Sequence, residues 1–171
     1  QLLGLFPRQG RVQNRVLRLD DRRVGEIDRE IGIVLGPVGP SYQSGPVSVA
    51  DAGNGIIVNV AIVDQVHNMI VAAANDGVTL TGGGYRDSAQ QIALRRAHCG
   101  SSDYAIYQAP SSSCSPPTAI PGTSMHEQGL AIDFDNCSYG TSVYNWLSGH
   151  AAGYGLYNLP SESWHWSTTG G

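Results

Sequence analysis

Two short segments near the end of the chain concentrate the residue types that do metal chemistry: Ser124-Met125-His126-Glu127-Gln128-Gly129-Leu130-Ala131-Ile132-Asp133 and Glu162-Ser163-Trp164-His165-Trp166. Together they offer two imidazoles, an aspartate and two glutamates, one of them Glu162 beside the second histidine. Three protein ligands with a fourth position left open make a catalytic zinc site, whereas a structural site closes all four. His126, Asp133 and His165 are the candidate ligands. Glu162, three residues before His165, is the candidate general base, a role that needs a carboxylate near the metal but not on it. Either segment alone says little, because a histidine and an aspartate at this separation occur by chance in many chains. The combination points to a hydrolase.

The elements that must position these groups can be read around them. Leu130, Ile132 and Phe134 alternate as in a strand, which puts Asp133 on the opposite face. Gly129 and Ala131 are small enough to let the backbone pass close to a metal or substrate. Trp164 and Trp166 flank His165 with period two, so both indoles are expected to face away from the imidazole. Upstream, residues 78–81 read as a strand running into Gly82-Gly83-Gly84-Tyr85-Arg86. Asp87 with Gln90 then offers a capping box for a helix reaching about His98. Arg86 falls at that strand-to-helix junction, a place suited to a carboxylate. The glycine run lacks both the Gly-Lys-Ser/Thr ending and the G-x-G-x-x-G spacing of phosphate loops.

Ile56, Val60, Val63, Val66, Ile70 and Ala73 share one face of a helix predicted over residues 56–75, with Gly77 as its stop. His67 lies in it without an acidic or histidine partner at ligand spacing and is read as structural. Residues 100–121, rich in Ser and Pro, are expected to form a loop, either a cleft wall or a connector. Val143, Trp146 and Leu147 predict a helix over residues 142–152, whose His150 has no partner motif and is read as a packing or solvent-facing residue rather than a fourth ligand.

The set S-x-H-x-x-G-x-A-x-D at Ser124 to Asp133, E-x-W-H at Glu162 to His165, and Gly84-Tyr85-Arg86 followed by Gln91 resembles the zinc D-alanyl-D-alanine carboxypeptidases of the VanY type. These share a fold with lysostaphin-like peptidases and the hedgehog amino-terminal domain. The resemblance covers residues 47–171. It implies an α+β fold in which a small antiparallel sheet carries the zinc site and helices flank it. It also implies one zinc per chain on His126, Asp133 and His165, with Glu162 as base and Arg86 meeting the anionic substrate. Further substrate contacts are expected from Tyr85, Gln91, Ser124 and Trp164. The implied substrate is the peptidoglycan stem peptide, cut at its terminal D-Ala-D-Ala bond outside a bacterial cytoplasm. Many relatives carry Arg-Tyr-Pro shortly before the catalytic glutamate; Tyr157-Asn158-Leu159-Pro160 stands here, which bears on substrate preference around that loop. An endopeptidase or L,D-carboxypeptidase on the same fold stays open, as does a noncatalytic zinc-stabilised cell-wall-binding module. The presence of both Glu162 and Arg86 weighs against the last.

Length fits one catalytic domain, residues 46–171, preceded by a helical arm and Gly/Pro linker over residues 1–45. Val12, Val16, Leu19, Ile27, Ile31 and Leu35 recur at roughly helical spacing in that arm, and Gly36-Pro37-Val38-Gly39-Pro40 follows. Residues 1–45 hold seven arginines and five acids, a net charge of +2, whereas residues 46–171 hold three arginines and nine acids, a net charge of −6. An acidic catalytic part argues against nucleic acid as a partner. No segment is apolar and long enough to span a membrane, and Gln1 to Phe6, followed at once by Pro7 and Arg8, does not make a signal peptide. A monomer is expected. Cys99, Cys114 and Cys137 are too scattered for a zinc ribbon. In an oxidising compartment two would pair, with Cys99 to Cys114 favoured because the flexible stretch Ser101 to Ser113 between them would benefit from a tie, about 3 kcal/mol by loop-closure entropy. Three buried thiols are the alternative.

Overall fold

A computed structural model describes residues 46–171. The helical arm expected over residues 1–45 lies outside the described residues.

The described chain begins with a hairpin of β1 (Val49–Asp51) and β2 (Ile57–Asn59), paired antiparallel with Ala50 opposite Val58. Residues 56–59 were expected to open a helix; Ile57–Asn59 form a strand instead, and the helix α1 starts only at Val63 and runs to Asn75. The reason is local. Ile56 and Val58 are buried while Ile57 between them is half-buried, the alternation of a strand. Asn59 then ends β2 by accepting the Ala61 N–H at 2.9 Å, an Asx turn that competes with helix. Val60, assigned by spacing to the buried face, is exposed. From Val63 the helical pattern holds: Val66, Met69, Ile70 and Ala73 are buried at i, i+3, i+4 and i+7. Gly77 and Val78 close the helix with bonds to Ala74 and Ala73 carbonyls, a Schellman end.

Residues 78–81 run without a strand ladder; β3 is only Gly82–Gly83. It joins β4 (Ala131–Phe134), β6 (Glu162–Ser167) and β5 (Tyr157–Leu159) in an antiparallel sheet ordered β3-β4-β6-β5. The glycines here are packing residues. A Cβ on Gly82 would run into the Asp133 carbonyl oxygen and one on Gly84 into that of Ile57, whereas one on Gly83 would meet nothing. Backbone thus packs on backbone against both β2 and β4.

Helix α2 (Ser88–Cys99) starts with the expected capping box, Gln90 N–H to Asp87 Oδ1 at 2.7 Å and Asp87 N–H to Gln90 Oε1 at 2.9 Å. The segment expected as loop over residues 100–121 contains α3 (Asp103–Tyr107), capped by Ser102, and a 3₁₀ turn at Ser111–Ser113. Helix α4 (Ser142–His150) follows the sequence reading. Its Val143, Trp146 and Leu147 share one apolar cluster with the buried face of α1 and with Ile132, Phe134 and Trp166 of the sheet. Helices flanking a small antiparallel sheet make the fold α+β. No helix among the described residues is long and apolar enough to cross a membrane.

Candidate metal centre

Strands β4 and β6 are neighbours, and their register places Asp133 directly opposite His165, with Ile132 opposite Trp166 one step away. Because side chains alternate along a strand, Ile132 and Trp166 go to the core and Asp133 and His165 to the other face. His126 comes from the turn before β4. Gly129 sits there at φ +67°, and a Cβ on it would lie 2.7 Å from the Asn59 nitrogen, so this turn needs glycine. Asn59 locks the turn from β2 by donating its N–H to the Gly129 carbonyl and its side-chain amide to that of Gln128, both at 2.9 Å. The His126 ring is fixed by an Nδ1 bond to the Gly84 carbonyl at 2.7 Å, which leaves Nε2 facing the site.

His126 Nε2, His165 Nδ1 and Asp133 Oδ1 converge. The nitrogens are 3.2 Å apart, and Asp133 Oδ1 lies 3.2 Å from the first and 2.9 Å from the second. Ligands at tetrahedral zinc, with bonds of about 2.0–2.1 Å, are separated by roughly 3.3 Å, so these three atoms describe one face of such a tetrahedron. Both imidazoles are buried, while the Asp133 side chain is one-third exposed toward a cleft of about 580 Å³. Burial alone would raise the Asp133 pKa; hydrogen bonds from His126 and His165, with their charge, outweigh it and hold the carboxyl well below its usual range. It is therefore ionised at neutral pH, the state a metal ligand requires. Among the described residues this is the one group of histidines, cysteines and acids arranged to hold a metal ion.

Glu162 and Trp164 line the same cleft as His165. This corrects the expectation that both indoles face away from the imidazole: Trp166 is buried in the core, but Trp164 is exposed at the cleft. The cause is an irregularity. Asn158 of β5 faces Trp166 and Leu159 faces Glu162, so β6 carries three residues, 163 to 165, with no counterpart in β5. The Asn158 amide spans this bulge, donating to the carbonyls of Glu162 and His165 at 3.0 Å each. Asn158 therefore brings Glu162 and His165 to one cleft, a role that sequence spacing gave no hint of.

Arg86 also reaches the centre, with Nη2 3.5 Å from Asp133 Oδ2 and Nη1 donating to Gln91 Oε1 at 2.9 Å. Gln91 is 1% exposed, and its amide nitrogen donates to the Ala119 carbonyl. It lines the cleft and braces Arg86 there. Ser124 lines the cleft and accepts the His126 N–H at 3.3 Å. Tyr85 is not among the residues that line the cleft, as Arg86 beside it takes the cleft side. His67 bonds the Ala52 carbonyl, and His150 bonds the Trp146 carbonyl and stacks on its indole; both are exposed and neither belongs to the group around the metal centre.

The wall facing Arg86 is built from the Ser/Pro-rich segment, and its anchor was not legible beforehand. Arg95 of α2 is fully buried. All five of its N–H groups are used: Nε on Ile106, Nη2 on Ala105 and Ala109, and Nη1 on the Thr118 carbonyl and Cys114 Sγ. A disulfide joins Cys99 to Cys114, the favoured pairing, and Cys137 is a buried thiol. Arg95→Ala would strand four buried carbonyls, so the fold should lose at least ~3 kcal/mol. Denaturant unfolding measures this; a loss below ~1 kcal/mol would mean that water replaces the guanidinium.

The VanY family profile, D-alanyl-D-alanine carboxypeptidase, matches residues 55–170. A D-alanyl-D-alanine carboxypeptidase of Enterococcus faecalis is 26% identical over 152 residues, a match covering 78% of this chain and 55% of the relative, so the chain spans about half of that protein's length. Among solved structures, VanYB in complex with D-alanine-D-alanine is 25% identical with a TM-score of 0.57, over 73% of this chain and 78% of that one. A vancomycin-resistance D,D-pentapeptidase VanY in complex with Zn(II) is 23% identical with a TM-score of 0.53, over 77% and 82%, and shares the fold. The chain belongs to the VanY D-alanyl-D-alanine carboxypeptidase family.

Proposed function

We propose that this chain is a zinc-dependent carboxypeptidase that removes the last D-Ala from peptidoglycan stem peptides ending in D-Ala-D-Ala. The observation that carries the reading is the convergence of His126 Nε2, Asp133 Oδ1 and His165 Nδ1 on the wall of a cleft that Glu162 and Arg86 also line. The D-alanine-D-alanine held by the VanYB neighbour supports the substrate class. When bound on these three ligands, zinc supplies Lewis acidity that polarises the scissile carbonyl and activates water near neutral pH. Glu162 takes the proton from the attacking water and returns it to the departing amine. Arg86, braced by Gln91 and Asp133, meets the anionic end of the peptide. The Cys99–Cys114 disulfide supports an extracytoplasmic setting.

Mass spectrometry of a stem pentapeptide incubated with the zinc-loaded protein tests the assignment. The expected product is the tetrapeptide plus one D-Ala. Cleavage at an internal bond would make the protein an endopeptidase, and intact peptide would sink the enzymatic reading.

Arg86→Ala gives a separate test. A charge-assisted pair with the terminal carboxylate is worth about 1.5–3 kcal/mol, so the preference of wild type for free over carboxyl-amidated peptide should fall by roughly 10- to 100-fold in kcat/KM. Arg86→Lys should recover little, because an ammonium lacks the planar fork. Equal losses on both peptides would assign Arg86 to the oxyanion instead.

A further inference from the structure

Helix α2 gives one face to the cleft: Gln91, Leu94 and His98, spaced i, i+3 and i+7, all line it. At 1.5 Å per residue, that face runs about 10 Å from Gln91 to His98. Gln91 touches Arg86 at the metal centre, so His98 marks a far arm of the cleft, lined also by Pro116, Pro117 and Thr118.

The imidazole in that arm has a fixed orientation and a free nitrogen. The Thr118 hydroxyl donates its one proton to the Pro116 carbonyl at 3.0 Å, so toward His98 Nδ1, 2.8 Å away, it can only accept. His98 Nδ1 therefore carries the proton, and the neutral ring presents an unprotonated Nε2. No described residue hydrogen-bonds that Nε2. The backbone around it is equally fixed, with Ser115 N–H on the His98 carbonyl at 3.0 Å and the disulfide one residue further on. Leu94, Pro116 and Pro117 give this arm apolar surface, and His98 Nε2 gives it a hydrogen-bond acceptor free of protein partners among the described residues.

We propose that this arm is a subsite for the acyl portion of the peptide, in which His98 Nε2 accepts a hydrogen bond from an N–H upstream of the scissile bond. The proposal rests on the carboxypeptidase reading above. Removing a terminal residue leaves only that one residue on the leaving side, and one extended residue spans ~3.3 Å, too short to occupy an arm of about 10 Å. The acyl side of the peptide has the length. The ligand class is an extended peptide with an amide or amine donor at that position. A longer substrate thus gains affinity that a dipeptide cannot.

The test compares N-acetyl-D-Ala-D-Ala with a stem pentapeptide ending in D-Ala-D-Ala. Calorimetric affinities are measured on zinc-loaded Glu162→Gln protein, so that turnover does not intervene, with and without His98→Asn. The Asn amide nitrogen takes roughly the place of Nδ1 and keeps the bond to Thr118, but nothing replaces Nε2. The pentapeptide should bind more tightly than the dipeptide, and His98→Asn should cut that advantage about 3- to 10-fold, the worth of one neutral hydrogen bond. An undiminished advantage in a variant of unchanged Tm overturns the subsite, while wild-type turnover of the pentapeptide still upholds the carboxypeptidase reading. Absence of turnover sinks that reading, and the affinities still decide the subsite; binding of neither peptide overturns both. Should His98→Asn not fold, pentapeptides N-methylated at one amide at a time put the question to the His98 protein. One upstream methylation should remove the advantage, and no effect at any position overturns the proposal.

Discussion

Glu162→Gln is expected to lower kcat by on the order of 10²–10⁴ while leaving zinc content and fold unchanged, the usual contribution of a positioned general base. The amide is nearly isosteric with the carboxylate but cannot take the proton from water. Glu162 lines the cleft, and no described residue hydrogen-bonds its carboxylate, so the change strands no buried partner. Its backbone carbonyl, held by Asn158, is untouched. KM should therefore move much less than kcat. Metal analysis, unfolding and steady-state kinetics on one preparation check all three parts, and full activity with full zinc would remove Glu162 from the mechanism.

His126→Ala and His165→Ala should each abolish metal binding and activity together. Losing even a supporting partner of a zinc ligand costs about 10- to 100-fold in metal affinity, and losing the ligand itself costs more. Neither site has a spare donor, since the three ligands are the one such group among the described residues. The two variants should also differ. His126 is braced by Gly84 from a separate segment, so its removal loosens the contact between the 84–86 segment and the turn before β4, whereas His165 sits within the ladder. Stoichiometric zinc in either variant would refute the ligand set. Because the Asp133 pKa is lowered, its carboxylate stays ionised as pH falls from neutral, so acid release of metal should not begin at Asp133.

The convergence of His126, Asp133 and His165 was legible because two of them lie on strands, where period two dictates which residues share a face. Once Leu130, Ile132 and Phe134 face the core, Asp133 faces away from it. The capping box of α2 was legible for a similar reason, being complete within four residues. The start of α1 was not, because Ile56, Val60 and Val63 satisfy a helical period while Asn59 breaks the helix through a side-chain bond that periodicity ignores. Trp164 escaped because a bulge is a property of two strands together and appears in neither sequence alone. Nothing in the sequence around Arg95 marks it as buried. Only the carbonyls of Ala105, Ile106, Ala109 and Thr118, brought round it by the tertiary fold, explain its burial.

The anchoring of the Ser/Pro-rich wall by Arg95 and the Cys99–Cys114 disulfide also bears on the entropy of binding. Fixing one residue's backbone costs about 1–2 kcal/mol in entropy, so a wall left free to fluctuate would have to be ordered by each arriving peptide, at the expense of affinity. Here α2 holds the wall in place before any ligand comes. That loss of freedom is incurred once, when the chain folds, and is not repeated at each encounter with substrate.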